Sequence, residues 1–174
     1  MSQHDSDDND DNQNQTDDFT GFIARSVNLA SKGIVGIGAM GQLATAAGNA
    51  TDAARYRSVS RDHIGRWATM AQDDTEPDLK LAYDRPGTWS LKYNGYADRV
   101  LGTGLVPRAI RAPEAAWYLS RANTYGVPLD VRNTFTKADW EMWTAAWLRD
   151  QPAIRTCWWG PCTSSRRRRR PGSR

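Results

Sequence analysis

Apolar residues recur at three- and four-residue steps along most of the chain, a spacing that places them on one face of a helix. Five segments carry this pattern, and the predicted helices span about 22–47, 52–71, 93–103, 113–124 and 137–149. Two short extended segments, LKLAYD and TWSLKY, lie between the second and third helices around Arg85-Pro86-Gly87. The pattern predicts an all-α unit of about five helices with one short extended hairpin.

The first predicted helix is apolar and contains Gly33, Gly36, Gly38 and Gly41. Each glycine should cost about 1 kcal/mol relative to alanine in an exposed helix, so we expect close packing on most sides. Three of them match G-x-G-x-x-G, but a dinucleotide site needs a strand before the glycines and a helix starting at them. We interpret the glycines as packing positions. Buried and amphipathic helices then alternate along the chain, and the amphipathic sixth helix expected after the fifth is missing.

Several residues predict where the helices begin and end. Gly48 should end the first helix, and Thr51 should cap the second. Pro113 suits the first turn of the fourth helix. Thr136 should cap the fifth, with Asp139 at its third position as in a capping box.

The two ends differ in charge from the body. Residues 1–18 contain seven Asp and no Lys or Arg, whereas residues 149–174 contain eight Arg and one Asp. We predict a disordered acidic tail over 1–15, a helical unit over 16–149 and a disordered basic tail over 150–174. The nearly neutral body gives no electrostatic case for nucleic acid. Arg166–Arg170 could attract it only non-specifically, so the predicted partners exclude nucleic acid, and an interaction protein with a basic tail is the least favoured alternative.

Other features limit the class of protein. No run of about 18 apolar residues is present, so we predict no membrane partner. The N-terminus lacks the basic and apolar regions of a signal peptide, so the chain as written should stay in the cytoplasm. Cys157 and Cys162 lack the second ligand pair of a structural zinc site, and we predict no metal and no cofactor.

Three long segments resemble the fungal glutaminase A family in sequence, order and spacing. They are DDFTGFIARSVNLASKGIVGIGAMGQLA, TWSLKYNGYADRVLGTGLVP and AAWYLSRANTYGVPLDVRNTFTKADWEMWTAAWL. The resemblance implies a secreted hydrolase with a helical toroid like that of six-hairpin glycosidases, of which this chain matches only the C-terminal part. It also implies conversion of L-glutamine to L-glutamate and ammonia. We expect the remainder of the domain to be a missing partner and the chain alone to be inactive.

In such a toroid the inner helices point the same way, so their first turns gather at one mouth. An acid there could activate water for amide hydrolysis, and aromatic and amide side chains could hold a small polar substrate. The predicted catalytic residues are Asp18 and Asp139. The predicted substrate-binding residues are Trp89, Tyr93, Asn94, Tyr96, Asp130, Arg132 and Trp140. The same mouth would also suit a related toroid that acts on or binds a carbohydrate.

Most of these residues also have a structural interpretation. Asp18 and Asp139 are equally good helix caps. The helical spacing of Trp140 is more typical of a core position, and Tyr93 and Asn94 are as well explained by ordering a loop. Asp130 and Arg132, in the connection before the fifth helix, are more simply explained as a salt bridge with each other.

Overall fold

A computed structural model describes residues 14–157 of the chain, so most of the two predicted tails, with Cys162 and Arg166–Arg170, lies outside the described residues. The helices are α1 (Val27–Ala46), α2 (Ala50–Ala71), α3 (Tyr96–Val100), α4 (Arg108–Arg121), α5 (Ala138–Trp147) and α6 (Pro152–Cys157), and a 3-10 turn at Tyr93–Gly95 precedes α3. Between residues 14 and 157, extended pairing is limited to isolated bridges. The predicted all-α fold class is confirmed.

The hairpin of α1 and α2 is the largest packing unit, and its ends correct two of the expectations. Ser26 caps α1 by accepting a hydrogen bond from the Leu29 amide (3.3 Å), so the helix begins about five residues later than predicted. The apolar residues before Ser26 serve instead in a turn in which Ile23 pairs with Gln15. Asn49, rather than Thr51, caps α2, because its Oδ1 accepts from the Asp52 amide (3.0 Å).

The four glycines of α1 divide into two pairs. A Cβ placed on Gly38 would lie 2.8 Å from Leu105 Cδ1, and one on Gly41 would lie 3.2 Å from Arg57 Cγ. These two are packing positions, as predicted. A Cβ on Gly33 or Gly36 would meet nothing within 4 Å, so the expectation that α1 is covered on most sides is wrong on that side.

The two extended segments between α2 and the 3-10 turn do not form the predicted hairpin. A single backbone hydrogen bond joins them, from Leu81 N to Thr88 O (3.3 Å). The first segment pairs with Ser26, and the second pairs with residues 129–131 through two backbone hydrogen bonds of 2.9 and 3.1 Å. Segments distant in sequence thus satisfy the backbone groups that a local hairpin would have paired.

The remaining helices also differ from the sequence expectations at their ends. Helix α4 starts at Arg108, with Pro107 as its cap, so Pro113 is an interior residue and not a first-turn residue. Helix α5 starts one residue later than predicted and has no side-chain cap. Its predicted capping box is wrong, since the carboxylate of Asp139 faces Lys137 Nζ at 3.5 Å.

Regular structure continues past Arg149 into α6, which packs against α4. Asp150 anchors this segment by forming ion pairs with Arg99 (2.6 Å) and Arg111 (2.8 Å), and Ile154 is fully buried. Burial would raise the pKa of Asp150, but hydrogen bonds from the two arginines outweigh it and lower the pKa to about 2. The sixth helix expected to be missing is therefore present as one short segment, too brief to show a helical period.

Every described helix except α3 contributes buried apolar residues to one core, which includes Trp67 of α2, Tyr118 of α4 and Trp147 of α5. Trp67 also donates its indole N–H to the Val27 carbonyl (2.9 Å), tying α2 to the start of α1. None of the described helices has the length and apolar character needed to cross a bilayer.

Candidate active site

An open cavity of about 420 Å³ lies where residues 14–17, α1, the 3-10 turn and α5 meet. Its wall mixes amide, charged and aromatic side chains. The lining residues are Asn14, Gln15, Thr16, Asp17, Leu29, Lys32, Tyr93, Asn94, Trp140 and Trp143. The cavity lies at the N-terminal side of three helical elements, as the expectation of a common mouth requires.

Tyr93 and Trp140, both predicted as substrate-binding residues, form the aromatic part of this wall. Their rings stack with centroids 4.2 Å apart and an interplanar angle of 17°. The Tyr93 hydroxyl accepts a hydrogen bond from Gln15 Nε2 (3.0 Å), and burial raises the pKa of Tyr93 to about 12. Tyr93 therefore keeps its proton at any physiological pH.

Asn94 lines the cavity and also orders the turn, and its role in substrate binding stays a prediction. Its backbone amide donates to Asn28 Oδ1 (3.1 Å), and its side-chain Nδ2 donates to the Asn28 carbonyl (3.2 Å). These bonds hold the 3-10 turn against the first turn of α1.

Asp17 and Lys32 give the cavity one group of each charge, and neither was among the predicted site residues. Asp17 Oδ1 accepts from the amides of Phe19 (2.9 Å) and Thr20 (2.7 Å), and Oδ2 accepts from Gln15 Nε2 (2.8 Å). This is an Asx-type turn, and an Asp two residues before Phe-Thr was the available cue. Lys32 is exposed on α1, and among residues 14–157 it takes part in no ion pair.

The two predicted catalytic acids, Asp18 and Asp139, are exposed and do not line the cavity. Asp139 pairs with Lys137, whose Nζ lies 4.2 Å from the centroid of the Trp140 ring. Asp18 precedes Phe19, whose ring contacts Trp140 edge-on with centroids 6.0 Å apart. Each acid is next in sequence to a residue that lines the cavity, Asp17 or Trp140, and its catalytic role stays a prediction.

Trp89 and Tyr96 are not brought into the cavity wall. Trp89 is buried in the core. Tyr96 stacks in parallel on Trp143, with centroids 6.3 Å apart, and so supports a cavity residue without lining the cavity. The prediction that these two side chains bind substrate is not supported by their positions.

Asp130 and Arg132 form the ion pair that the simpler interpretation favoured. Asp130 is fully buried and accepts from Arg132 at its backbone N (2.8 Å), Nε (3.1 Å) and Nη2 (2.8 Å). Hydrogen bonding to Asp130 raises the pKa of Arg132. Arg132 Nη2 also donates to the Thr20 carbonyl (2.8 Å), so the ion pair holds the turn formed by residues 17–20.

The sequence of this chain is similar to a known protein family and to two fungal proteins. Residues 5–157 match the family model described as the glutaminase A six helical-hairpin domain. The chain belongs to the glutaminase A family. It is 45% identical over 137 residues to the glutaminase A of Aspergillus oryzae and 32% identical over 172 residues to a probable glutaminase of Arthroderma benhamiae. These alignments cover 78% and 83% of the chain but 20% of each relative, so the chain spans about a fifth of their length. No solved structure matches it.

This glutaminase A segment also contains a buried charge cluster, formed by Asp78, Lys92 and Glu114, that the sequence did not reveal. Lys92 Nζ donates to the carbonyls of Leu79 (2.9 Å) and Ser90 (2.8 Å), and a Glu114 oxygen accepts from the Leu79 amide. Burial lowers the pKa of Lys92, against the attraction of nearby carboxylates, and raises that of Glu114. The cluster ties the loop after α2 to α4.

Burial, reinforced by repulsion from Glu114, also raises the pKa of Asp78 to about 6. Its Oδ1 is buried without a hydrogen-bond partner in the described part of the chain.

Among residues 14–157, no group of three or more His, Cys, Asp or Glu side chains is placed to hold a metal ion.

Proposed function

We propose that this chain forms part of a glutaminase-type amide hydrolase that releases ammonia from L-glutamine at the cavity between α1 and α5. The observation that carries the proposal is that Lys32 and Asp17, which bear opposite charges, both line one cavity that also offers amides and an aromatic wall. The cavity volume falls within the usual range for small-molecule sites. The names of the two fungal relatives support the same reaction.

L-Glutamine carries a carboxylate, an ammonium group and a neutral carboxamide, and the cavity offers a partner for each. The Lys32 ammonium attracts the carboxylate of the substrate. Asp17 Oδ2, which accepts one hydrogen bond within the protein, accepts a second from the ammonium group of the substrate. Asn94 hydrogen-bonds the carboxamide, and the Trp140 ring covers the methylene groups of the substrate. Because Asp17 already accepts three hydrogen bonds, it is suited to binding more than to proton transfer.

For the chemical step we propose that the carboxylate of Asp18 or Asp139 removes a proton from water. Each of these acids is next in sequence to a residue of the cavity wall. The hydroxyl oxygen then bonds to the carboxamide carbon, and the proton passes to the nitrogen as the C–N bond breaks. The products are L-glutamate and ammonia. In this mechanism Lys137 orients Asp139, since Lys137 Nζ lies 3.5 Å from Asp139 Oδ2.

A related toroid that acts on or binds a carbohydrate is the alternative, and one observation favours it. Trp143 lines the cavity with 41% of its surface exposed and is backed by the parallel ring of Tyr96. A flat, supported aromatic face of this kind suits the apolar face of a sugar ring. Sugars and L-glutamine should therefore be compared in the same assay.

The test is a chimera in which residues 14–157 replace the matching segment of the Aspergillus oryzae glutaminase A. We expect it to release ammonia from L-glutamine, whereas the 174-residue chain alone should not. Lys32→Gln should raise KM roughly 10- to 100-fold, since it removes a charge-assisted hydrogen bond to the substrate. Arg61→Gln, at an exposed position of the outer helix α2, is the matched control and should leave KM unchanged.

Asp18→Asn and Asp139→Asn test the chemical step in the same chimera, with Asp62→Asn on α2 as the control. Loss of the catalytic carboxylate should lower kcat by about 100-fold or more with little change in KM. Unchanged kcat in both variants would remove these acids from the mechanism. A chimera that ignores L-glutamine but binds or cleaves a sugar would favour the alternative, and turnover by the isolated chain would contradict its dependence on the rest of the protein.

A further inference from the structure

Large apolar side chains stay exposed on α1, α3 and α5, the inner helices of the structure. On α1 they are Met40 (44% exposed) and Leu43 (61%), and on α3 and α5 they are Val100 (62%) and Trp143 (41%). Contiguous exposed apolar surface of this kind usually marks an interaction site. We call these four residues, together with Gly33 and Gly36, the open face.

The α1 part of the open face has the spacing of a helix-packing stripe. Gly33, Gly36, Met40 and Leu43 follow one another at steps of three, four and three residues, which keeps them on one side of the helix. The two glycines have no atom within 4 Å of an added Cβ, in contrast to Gly38 on the covered side. The stripe therefore combines a flat part, where a second backbone could approach closely, with two large apolar side chains.

The rest of the open face is continuous with this stripe through the cavity. Leu29 and Lys32, one turn before the stripe on α1, line the cavity together with Trp143 of α5. Tyr96, one turn before Val100 on α3, stacks on Trp143. The exposed apolar side chains of α1, α3 and α5 are thus linked through the wall of the cavity, which also contains amide and charged side chains.

We propose that the open face packs against an inner helix from another hairpin of the same glutaminase A domain. The matching family domain is described by six helical hairpins, whereas residues 14–157 form three successive helix pairs, α1–α2, α3–α4 and α5–α6. The relatives are about five times as long as the aligned segment, so they contain chain enough for further hairpins. The occupant is an apolar helix with large side chains opposite Gly33 and Gly36 and small ones opposite Met40 and Leu43. This inference goes beyond the proposed function and does not depend on glutamine hydrolysis.

Gly36→Leu tests the proposal, with Gly65→Leu as the matched control. Both glycines are exposed, lie inside long helices and have no atom within 4 Å of an added Cβ. In the purified 174-residue chain, both variants should keep or raise the thermal midpoint, because each replaces a helical glycine beside open space. In the chimera with the Aspergillus oryzae protein, Gly36→Leu should lower the midpoint by at least about 4 °C, as overpacking would, and Gly65→Leu should not.

Gly36→Ala is a milder variant in case Gly36→Leu prevents the chimera from folding. It should raise the midpoint of the isolated chain as much as Gly65→Ala does, but lower it in the chimera. A chimera that tolerates both changes at Gly36 would overturn the proposal. Sedimentation of the isolated chain covers the other occupant: a dimer that Gly36→Leu dissociates would assign the open face to a second copy. Because these readouts are stability and mass, they can fail without affecting the test of glutaminase activity.

Discussion

Asp78→Asn should stabilise the protein at pH 7.5 and weaken the pH dependence of its stability. Asp78 is almost completely buried, one of its oxygens has no hydrogen-bond partner in the described part of the chain, and Glu114 is close enough to repel it. Folding therefore favours the protonated form of Asp78. An asparagine keeps the shape of that form and carries no charge.

The magnitude follows from the pKa of about 6 in the folded protein, against an ordinary value of 3.8. Between these two values the folded state binds more protons than the unfolded state, so stability falls as the pH rises from about 4 to about 6. Each unit of pKa shift corresponds to about 1.4 kcal/mol, so the shift sets an upper limit of about 3 kcal/mol on the loss. The variant should recover that amount above pH 6 and gain nothing near pH 4.

Urea unfolding of the 174-residue chain at pH 4, 5, 6 and 7.5, followed by tryptophan fluorescence, measures this directly. Asp74→Asn changes an exposed acid in the same loop and should leave the pH slope as it is in the unsubstituted chain. Glu114 also has a pKa raised by burial, so a smaller slope should persist in Asp78→Asn. An unaltered slope, with no gain in stability at pH 7.5, would refute the description of Asp78 as a buried, repelled carboxyl group.

Two further changes test the packing of the helices. Gly95→Ala should destabilise the chain by roughly 2–3 kcal/mol, because its Cβ would lie 2.6 Å from the Trp147 ring, whereas Gly65→Ala should stabilise it by about 1 kcal/mol; equal urea midpoints for the two variants would contradict the contact. Asp150→Asn should cost roughly 2 kcal/mol at pH 7 and almost nothing near pH 2, since a lowered pKa gives stability that is present above about pH 4 and is lost as the pH falls through about 2. Unfolding at both pH values measures this, and an equal loss at the two would count against the ion pairs of Asp150.

Helical periodicity predicted the helices well where they are long and poorly where the chain bends. Helices α1 and α2 were found to within a few residues because their apolar spacing extends over several turns. The start of α1 was misplaced because residues 22–24 are apolar, yet the chain there pairs with other segments at Ile23 and Ser26. Helix α6 was missed because six residues contain less than two turns.

The cavity was predictable only in part. Of the predicted residues, Tyr93, Asn94 and Trp140 line the cavity, and they lie at or near the starts of inner helical elements, where a toroid is expected to have its mouth. Lys32 was missed because its helix position gives no indication of which loop folds beside it. Gln15, which meets Tyr93 across 78 positions of sequence, was missed for the same reason.

The buried charge cluster shows the limit of local patterns most clearly. Lys92 closes a segment that has the sequence of a short extended piece, and nothing near it indicates burial. Its surroundings come from the loop after α2 and from Glu114 on α4. Only the tertiary fold brings these charges together.

A crystal structure of the chimera with bound L-glutamate, the product of the proposed reaction, tests most directly the claim that three inner helices converge on an amino-acid site. We expect the α-carboxylate within hydrogen-bonding distance of Lys32 Nζ, the ammonium group at Asp17 and the methylene groups against Trp140. L-Glutamate bound at a different place in the domain, with this cavity filled by protein side chains, would contradict the account.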